Sequence, residues 1–211
     1  MMHWFFGTLG LSRALVALAG AVVFAAPAAA GAPTVVELFT SQSCSSCPPA
    51  EAFLGEIAGR ADVIALEFHV DYWDELVYGA AGKWKDRYSA PAFTERQRGY
   101  NRAIRNKGAV YTPQMVIDGR HEAVGSDRGA VTAAISRAAA SHGAPLEVGV
   151  ALRGNVGSVD ISGGAKEPAA VWLVRYLRAE TTRVEAGENK GKTLKNHNVV
   201  TDLRKIGEWR G

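Results

Sequence analysis

The sequence predicts an α/β fold that opens with a parallel strand–helix–strand unit and closes with a small antiparallel β region. Three observations carry that reading. Two apolar runs, "VVELFT" (35–40) and "DVIALEFHV" (62–70), flank an amphipathic helical segment, the pattern of a βαβ unit. Asp118-Gly119 sits between two short apolar runs, a tight-hairpin signal. After Pro145 the texture changes to short strand-like runs split by glycines.

Residues 1–30 are expected to stand outside that fold. Arg13 is their only charged residue, and the apolar run "ALVALAGAVVFAAPAAA" ends in Ala28-Ala29-Ala30. This predicts a secretory signal peptide cleaved after Ala30. A membrane anchor is the alternative, and the short run and Pro27 count against it. The aromatic "HWFF" ahead of Arg13 is unusual for such a leader and leaves open a true start further in. Export places the chain in the periplasm or outside the cell, where disulfides persist. Of the 211 residues, 47% are apolar and 21% charged, enough for a core and unlike a disordered chain. Without Arg13 the chain has 23 basic and 21 acidic residues, no nucleic-acid signature.

The elements follow in order. "VVELFT" is rich in β-branched and aromatic types and reads as a buried strand. In "PPAEAFLGEIAGR", Phe53, Leu54, Ile57 and Ala58 fall at helical spacing and Gly59 marks a stop. "DVIALEFHV" is the second strand. The aromatic, glycine-rich stretch from Asp71 to Ser89 reads as an irregular excursion. "SAPAFTERQRGYNRAIRNKG" is a helix with Ser89 and Pro91 at its start, Gly108 at its end and Phe93, Tyr100 and Ile104 inward. Two strands around Asp118-Gly119 precede a helix capped by Ser126 and ending near Gly143. The order is β-α-β-α-β-β-α. The strand-like runs "LEVGVALR", "GSVDISG", "AAVWLVRYLR" and "TRVEA" come after it. The division expected is a signal peptide over 1–30, a main domain over 31–143 and a β-rich region over 144–211.

Cys44 and Cys47, in "SCSSCPP", are the only cysteines. A C-x-x-C beside a βαβ unit reads as a thioredoxin-like redox motif. The second thiol can reach back and resolve a mixed disulfide formed by the first. A helix N-terminus beside Cys44 favours its thiolate. Pro48 and Pro49 lack amide donors and suit only the first turn, so the helix is expected to begin after Cys44. Three other readings compete. Zinc needs about four ligands, for which His69, Asp71 and His121 would have to serve. Copper could take both thiols, with His69 as third ligand, as in some periplasmic copper chaperones. An inert staple closes almost no loop and would stabilise little. The redox reading is favoured, with no metal and no cofactor expected.

Thioredoxin-like folds carry a cis proline facing the cysteine pair, and "TPQMVIDG" resembles the corresponding glutaredoxin segment. The resemblance makes Pro113 that proline. Thr112 would then offer its backbone to a bound peptide, with Tyr72 and Trp73 as further substrate contacts. "VVELF" resembles the strand of protein disulfide isomerases whose buried acid helps proton transfer, which makes Glu37 a catalytic candidate. Glu37 lies seven residues before Cys44, one more than in that pattern, and a solvated edge-strand Glu is the competing reading. His69 and Asp71 follow the second strand, at the rim where α/β folds place function, and are candidates for tuning the thiols.

Two stretches invite misreading. "GENKGKT" (187–193) resembles a phosphate-binding loop, but three residues separate Gly187 from Gly191 where the motif needs four. Nucleotide binding is rejected. Residues 83–107 hold eight basic and two acidic residues. They read as a solvated helix face, or else as a surface for an acidic protein; nucleic acid is not expected for an exported chain.

Taken together, "VELFTSQSCSSCPPAEAFLGEIA", "EFHVDYWD", "SAPAFTERQRGY", "VYTPQMVIDGR" and "GENKGKTLKNHNVV" resemble one group. It is the secreted bacterial thioredoxin-like family called domain of unknown function 1223, matched from about residue 33 to the end. The resemblance implies a thioredoxin-like domain with an appended β region, and no established substrate. Members of the group continue past "LRKIGEW" with further strands. The chain is therefore expected to be truncated at Gly211, which would leave an unpaired, aggregation-prone edge. The function expected is an exported thiol–disulfide oxidoreductase acting on protein or small-molecule thiols and disulfides. The alternatives are a copper-binding module and a non-catalytic interaction protein. Membrane contact is expected only through an uncleaved leader.

Overall fold

The computed structural model describes residues 31–144, 146–154, 156–163 and 168–210; the expected signal peptide lies outside them. The elements run β1 (Thr34–Thr40), α1 (Pro48–Ile57), β2 (Val63–His69), α2 (Pro91–Arg105), β3 (Gln114–Ile117), β4 (His121–Val124) and α3 (Arg128–Ala140). Then come β5 (Glu147–Arg153), β6 (Val156–Ser162), β7 (Ala169–Arg183) and β8 (Thr193–Trp209). The expected β-α-β-α-β-β-α order is present, and the α/β arrangement is consistent with a thioredoxin-like fold.

The central sheet has six strands in the order β4-β3-β1-β2-β8-β7, and β5 and β6 form a sheet of two. β1 and β2 are parallel in register from Thr34↔Val63 to Thr40↔His69, whereas β3 runs antiparallel to β1. Alternation along these strands sorts their side chains onto two faces. Val36 and Leu38 of β1 join Phe53 and Leu54 of α1 and Val131 and Ile135 of α3 in one core. Phe39, Leu66 and Phe68 join Phe93 of α2 in the other. Phe39 and Phe68 are fully buried and stack at 5.5 Å. Each such side chain contributes about 1.5–3 kcal/mol relative to exposure.

The hairpin turn forms as expected, with Asp118 at φ 48° and Gly119 at φ 64°. Several details differ from the sequence reading. Asp127, not Ser126, caps α3; its carboxylate accepts from Ala130 N at 2.9 Å. The inward face of α2 buries Gln97 and Asn101 besides Phe93, because both bond the buried Gln114 of β3. The basic stretch is not wholly solvated: Arg96 turns to Glu37 and Arg105 to Asn101.

The longest strand described, β8, has 17 residues; it lies within the expected β-rich region, past the last strand-like run the sequence marks. It pairs with β7 along most of its length and meets β2 in parallel at Glu67↔Val199. Asn198 takes φ 51° and its side chain donates to Ala65 O at 2.9 Å. Asn tolerates that left-handed backbone. The C-terminal hairpin is thereby carried onto the edge of the central sheet. No helix among the described residues is long and apolar enough to cross a membrane.

Candidate functional site

Cys44 and Cys47 form a disulfide with their Cα atoms 5.4 Å apart. They sit where β1 gives way to α1. Cys47 is the N-cap residue and Pro48 the first helical residue. The prolines occupy positions whose N–H groups would have no partner within the helix. Cys44 lies in the turn before, with its N–H donating to Ser41 O at 3.0 Å. The helix dipole favours negative charge here, although Pro48 and Pro49 bring no N–H and the amides of Ala50 and Glu51 donate to Cys47 O at 2.9 and 3.1 Å. Both cysteines are fully buried, although Ser45 and Ser46 between them are exposed.

A cluster of buried ionisable groups lies on the α1 side of the sheet. Glu51, one helical turn after Cys47, accepts a hydrogen bond from Thr40 Oγ1 at 2.7 Å. Burial first, and the Glu67 carboxylate second, push its pKa up to about 8. His69 is fully buried, with Nδ1 2.7 Å from Asp86 Oδ2 and Nε2 3.2 Å from Glu67 Oε1. Burial works against its charge, but Asp86 and then Glu67 outweigh it and hold its pKa well above the ordinary value. Glu67 is also tied to β8, accepting from Asn196 Nδ2 at 2.6 Å and His197 N at 2.9 Å. Asp86 Oδ2 accepts from Gln42 N at 2.8 Å, which connects the cluster to the cysteine loop. A cleft of about 490 Å³ between α1 and β8 is lined by Pro48, Glu51, Ala52, Gly55, Lys195 and His197. Glu51 lines it while staying only 2% exposed.

The substrate-side candidates come together in part. The Thr112–Pro113 peptide is cis. A Cβ built at Gly125 would lie 3.0 Å from Ala50 Cβ and 3.3 Å from Pro113 Cβ. Pro113 and the first turn of α1 thus both pack against Gly125, where an added Cβ would have to push its neighbours back by a few tenths of an ångström. Trp73 Nε1 donates to Thr112 Oγ1 at 2.8 Å, and Trp73 stacks on Tyr78 at 6.2 Å. The Tyr72 hydroxyl lies 3.5 Å from Gln97 Oε1 and beside the Thr112 and Trp73 side chains. Asp71 is bound to the start of α2, accepting from Thr94 Oγ1 at 2.5 Å.

Glu37 is not brought to the disulfide. Alternation puts it on the Phe39 face, toward α2, while Leu38 and Thr40 face α1. There Arg96 grips it through Nε at 2.6 Å and an Nη at 2.9 Å, and Tyr100 donates to it at 2.6 Å. The buried acid one helical turn after the cysteines is Glu51, whose N–H donates to Cys47 O at 3.1 Å and which the sequence reading missed. Its signal was there: Glu51 stands four residues after Cys47 and three before Leu54, on the inward stripe of the helix. His69 does not suit the copper reading either. Both its ring nitrogens face carboxylates and its proton is held, whereas a metal needs a neutral imidazole with a free lone pair.

The family described as "Protein of unknown function (DUF1223)" matches residues 35–211. An X-ray crystal structure of a protein from Agrobacterium tumefaciens is similar, with TM-score 0.70 and 34% identity, covering 86% of this chain and 75% of that one. No curated protein matches.

Proposed function

The chain belongs to the DUF1223 family, and we propose that it is an exported thiol–disulfide oxidoreductase working through Cys44 and Cys47. The observation that carries the reading is the pairing of this disulfide at a helix start with a buried acid, Glu51, that titrates at about 8 one turn away.

In the reduced form, the Cys44 thiolate attacks one sulfur of a substrate disulfide. A mixed disulfide forms and one substrate thiolate leaves. Cys47, giving its proton to ionised Glu51, attacks the Cys44 sulfur of that intermediate. The Cys44–Cys47 bond closes, the second substrate thiolate leaves, and two electrons have passed to the substrate. Run backwards, the same steps oxidise a dithiol. A carboxyl group with a pKa close to neutral suits transfer in either direction. Thr112, Pro113 and Trp73 support a substrate segment laid beside the first turn of α1. Tyr72 and Asp71, engaged with α2, have no part in the chemistry, and His69 acts at a distance by fixing the charge around Glu51. The apolar leader supports a periplasmic or secreted setting, with protein or small-molecule thiols and disulfides as partners.

Full burial of both cysteines favours one rival, a non-catalytic protein with an inert disulfide. Insulin reduction driven by dithiothreitol, together with oxidation of a reduced dithiol peptide by the disulfide form, separates the two. Turnover lost in Cys44→Ser supports the proposal. Rates for the native chain no higher than those of Cys44→Ser would sink it.

A further inference from the structure

We propose that the turn joining β7 to β8, residues 184–192, is a strap that closes over the Cys44–Cys47 disulfide and decides which reductants reach it. The idea rests on the redox reading for its purpose but not for its test. This is the stretch whose glycines imitate a phosphate loop, and its contacts give those residues a different use.

The strap is a built unit. Val184 N donates to Lys192 O at 2.9 Å and Gly191 N to Val184 O at 2.8 Å. Lys192 Nζ donates to Asn189 Oδ1 at 2.9 Å, which orients the Asn189 amide. That amide is fully buried, and its Nδ2 donates to both Gln42 O and Cys44 O at 2.9 Å. Glu188 Oε2 accepts from Ser45 N at 2.9 Å. Gly187 has φ 74°, and a Cβ there would lie 3.2 Å from Ser43 Oγ and from Trp84 Cβ. Glycine is therefore required for the turn to sit this close to the cysteine loop.

Consequences follow from the burial. A thiolate must reach a sulfur to exchange with it, and both cysteines are fully buried with the strap closed. The strap's side-chain hold on residues 42–45 is three hydrogen bonds, two from Asn189 and one to Glu188. Local opening can break these while the β7–β8 ladder stays paired. A small reductant needs a brief opening. A folded protein needs the strap displaced, so only a partner able to compete for the Gln42 and Cys44 carbonyls and the Ser45 amide gains full access.

The test is the reduction of the oxidised chain by tris(2-carboxyethyl)phosphine, followed by quenching with an alkylating agent and mass spectrometry. The phosphine attacks one sulfur; water then takes the phosphorus, giving phosphine oxide and two thiols. No enzymatic activity is required. The expected rate for the native chain saturates with phosphine concentration at the opening rate and depends weakly on urea. Asn189→Ala is expected to raise it about tenfold and Glu188→Ala about threefold. Glu188 is exposed, so Glu188→Ala carries the test if Asn189→Ala fails to fold, as judged by circular dichroism. A rate linear in phosphine and equal in native and variant chains overturns the strap. So does reduction with the steep urea dependence of global unfolding. A gated chain inert toward every disulfide substrate overturns the oxidoreductase reading alone; an active but ungated chain overturns the strap alone.

Discussion

Glu37 and Glu51 are both buried acids of one domain, on opposite faces of its central sheet. On the α2 face, Glu37 meets Arg96 and Tyr100, which supply a full charge and a hydroxyl donor. On the α1 face, Glu51 bonds a single hydroxyl, Thr40, beside a second acid, Glu67, and the opposing charge of His69 is too weak to offset burial, so its carboxyl holds its proton up to about pH 8. The difference teaches that burial alone does not make an acid reactive. What matters is whether the charge it forms has already been matched. A matched carboxylate fixes structure, and an unmatched one exchanges protons.

Three substitutions sharpen or break that comparison, ranked by the stability lost near pH 6 in urea unfolding. His69→Leu is expected to be the most damaging, at about 3–5 kcal/mol, because Glu67 and Asp86 are left buried without the cation between them. The loss should shrink as pH falls and the Asp86 carboxylate, no longer held ionised by His69, protonates; a loss independent of pH would show that the imidazolium does not hold this cluster. Glu37→Gln comes next, at about 2 kcal/mol, since it strips Arg96 of its charge partner but leaves an oxygen to accept hydrogen bonds. Thiol–disulfide exchange should remain within about twofold of native. A tenfold drop would return Glu37 to the chemistry.

Glu51→Gln is expected to lose no stability: below about pH 4.5 the amide closely replaces a neutral carboxylic acid, and near pH 6 the variant should be more stable than native, by about 2 kcal/mol, because it escapes the proton linkage. Its signature lies in pH dependence. The carboxyl keeps its proton to about pH 8 when folded and releases it near its ordinary value of 4.5 when unfolded. The folded state therefore binds the extra proton between those values. Stability from this group is fully present below about pH 4.5 and is lost as pH rises toward about 8. The slope is at most about 1.4 kcal/mol per pH unit. Glu51→Gln should remove that slope, together with the inflection near pH 8 in the exchange rate. Unfolding curves for native and variant chains that stay parallel from pH 5 to pH 8 would break the contrast between the two acids.

Much of the frame is legible in the chain. Pro48 and Pro49 announce the helix start just behind Cys47, and Asp118-Gly119 announces its turn, because both follow from local backbone sterics. The strap and β8 were not legible. "GENKGKT" has no periodicity of its own, and β8 is a strand because β7 and β2 lie beside it. Polar Gln97 and Asn101 face inward only because Gln114 waits there.

By itself, then, the sequence determined the α/β order, the position of the cysteine pair at a helix start and the alternation that sets Glu37 with Phe39 and apart from Leu38. These depend on neighbours a few residues away, through allowed dihedrals and hydrogen-bonding reach. Only the tertiary structure decided which face met α1, which acid went unmatched, and that Asn189 would bond a carbonyl 145 residues away. Desolvation and charge depend on whichever groups folding brings within a few ångströms, and no local pattern encodes that company.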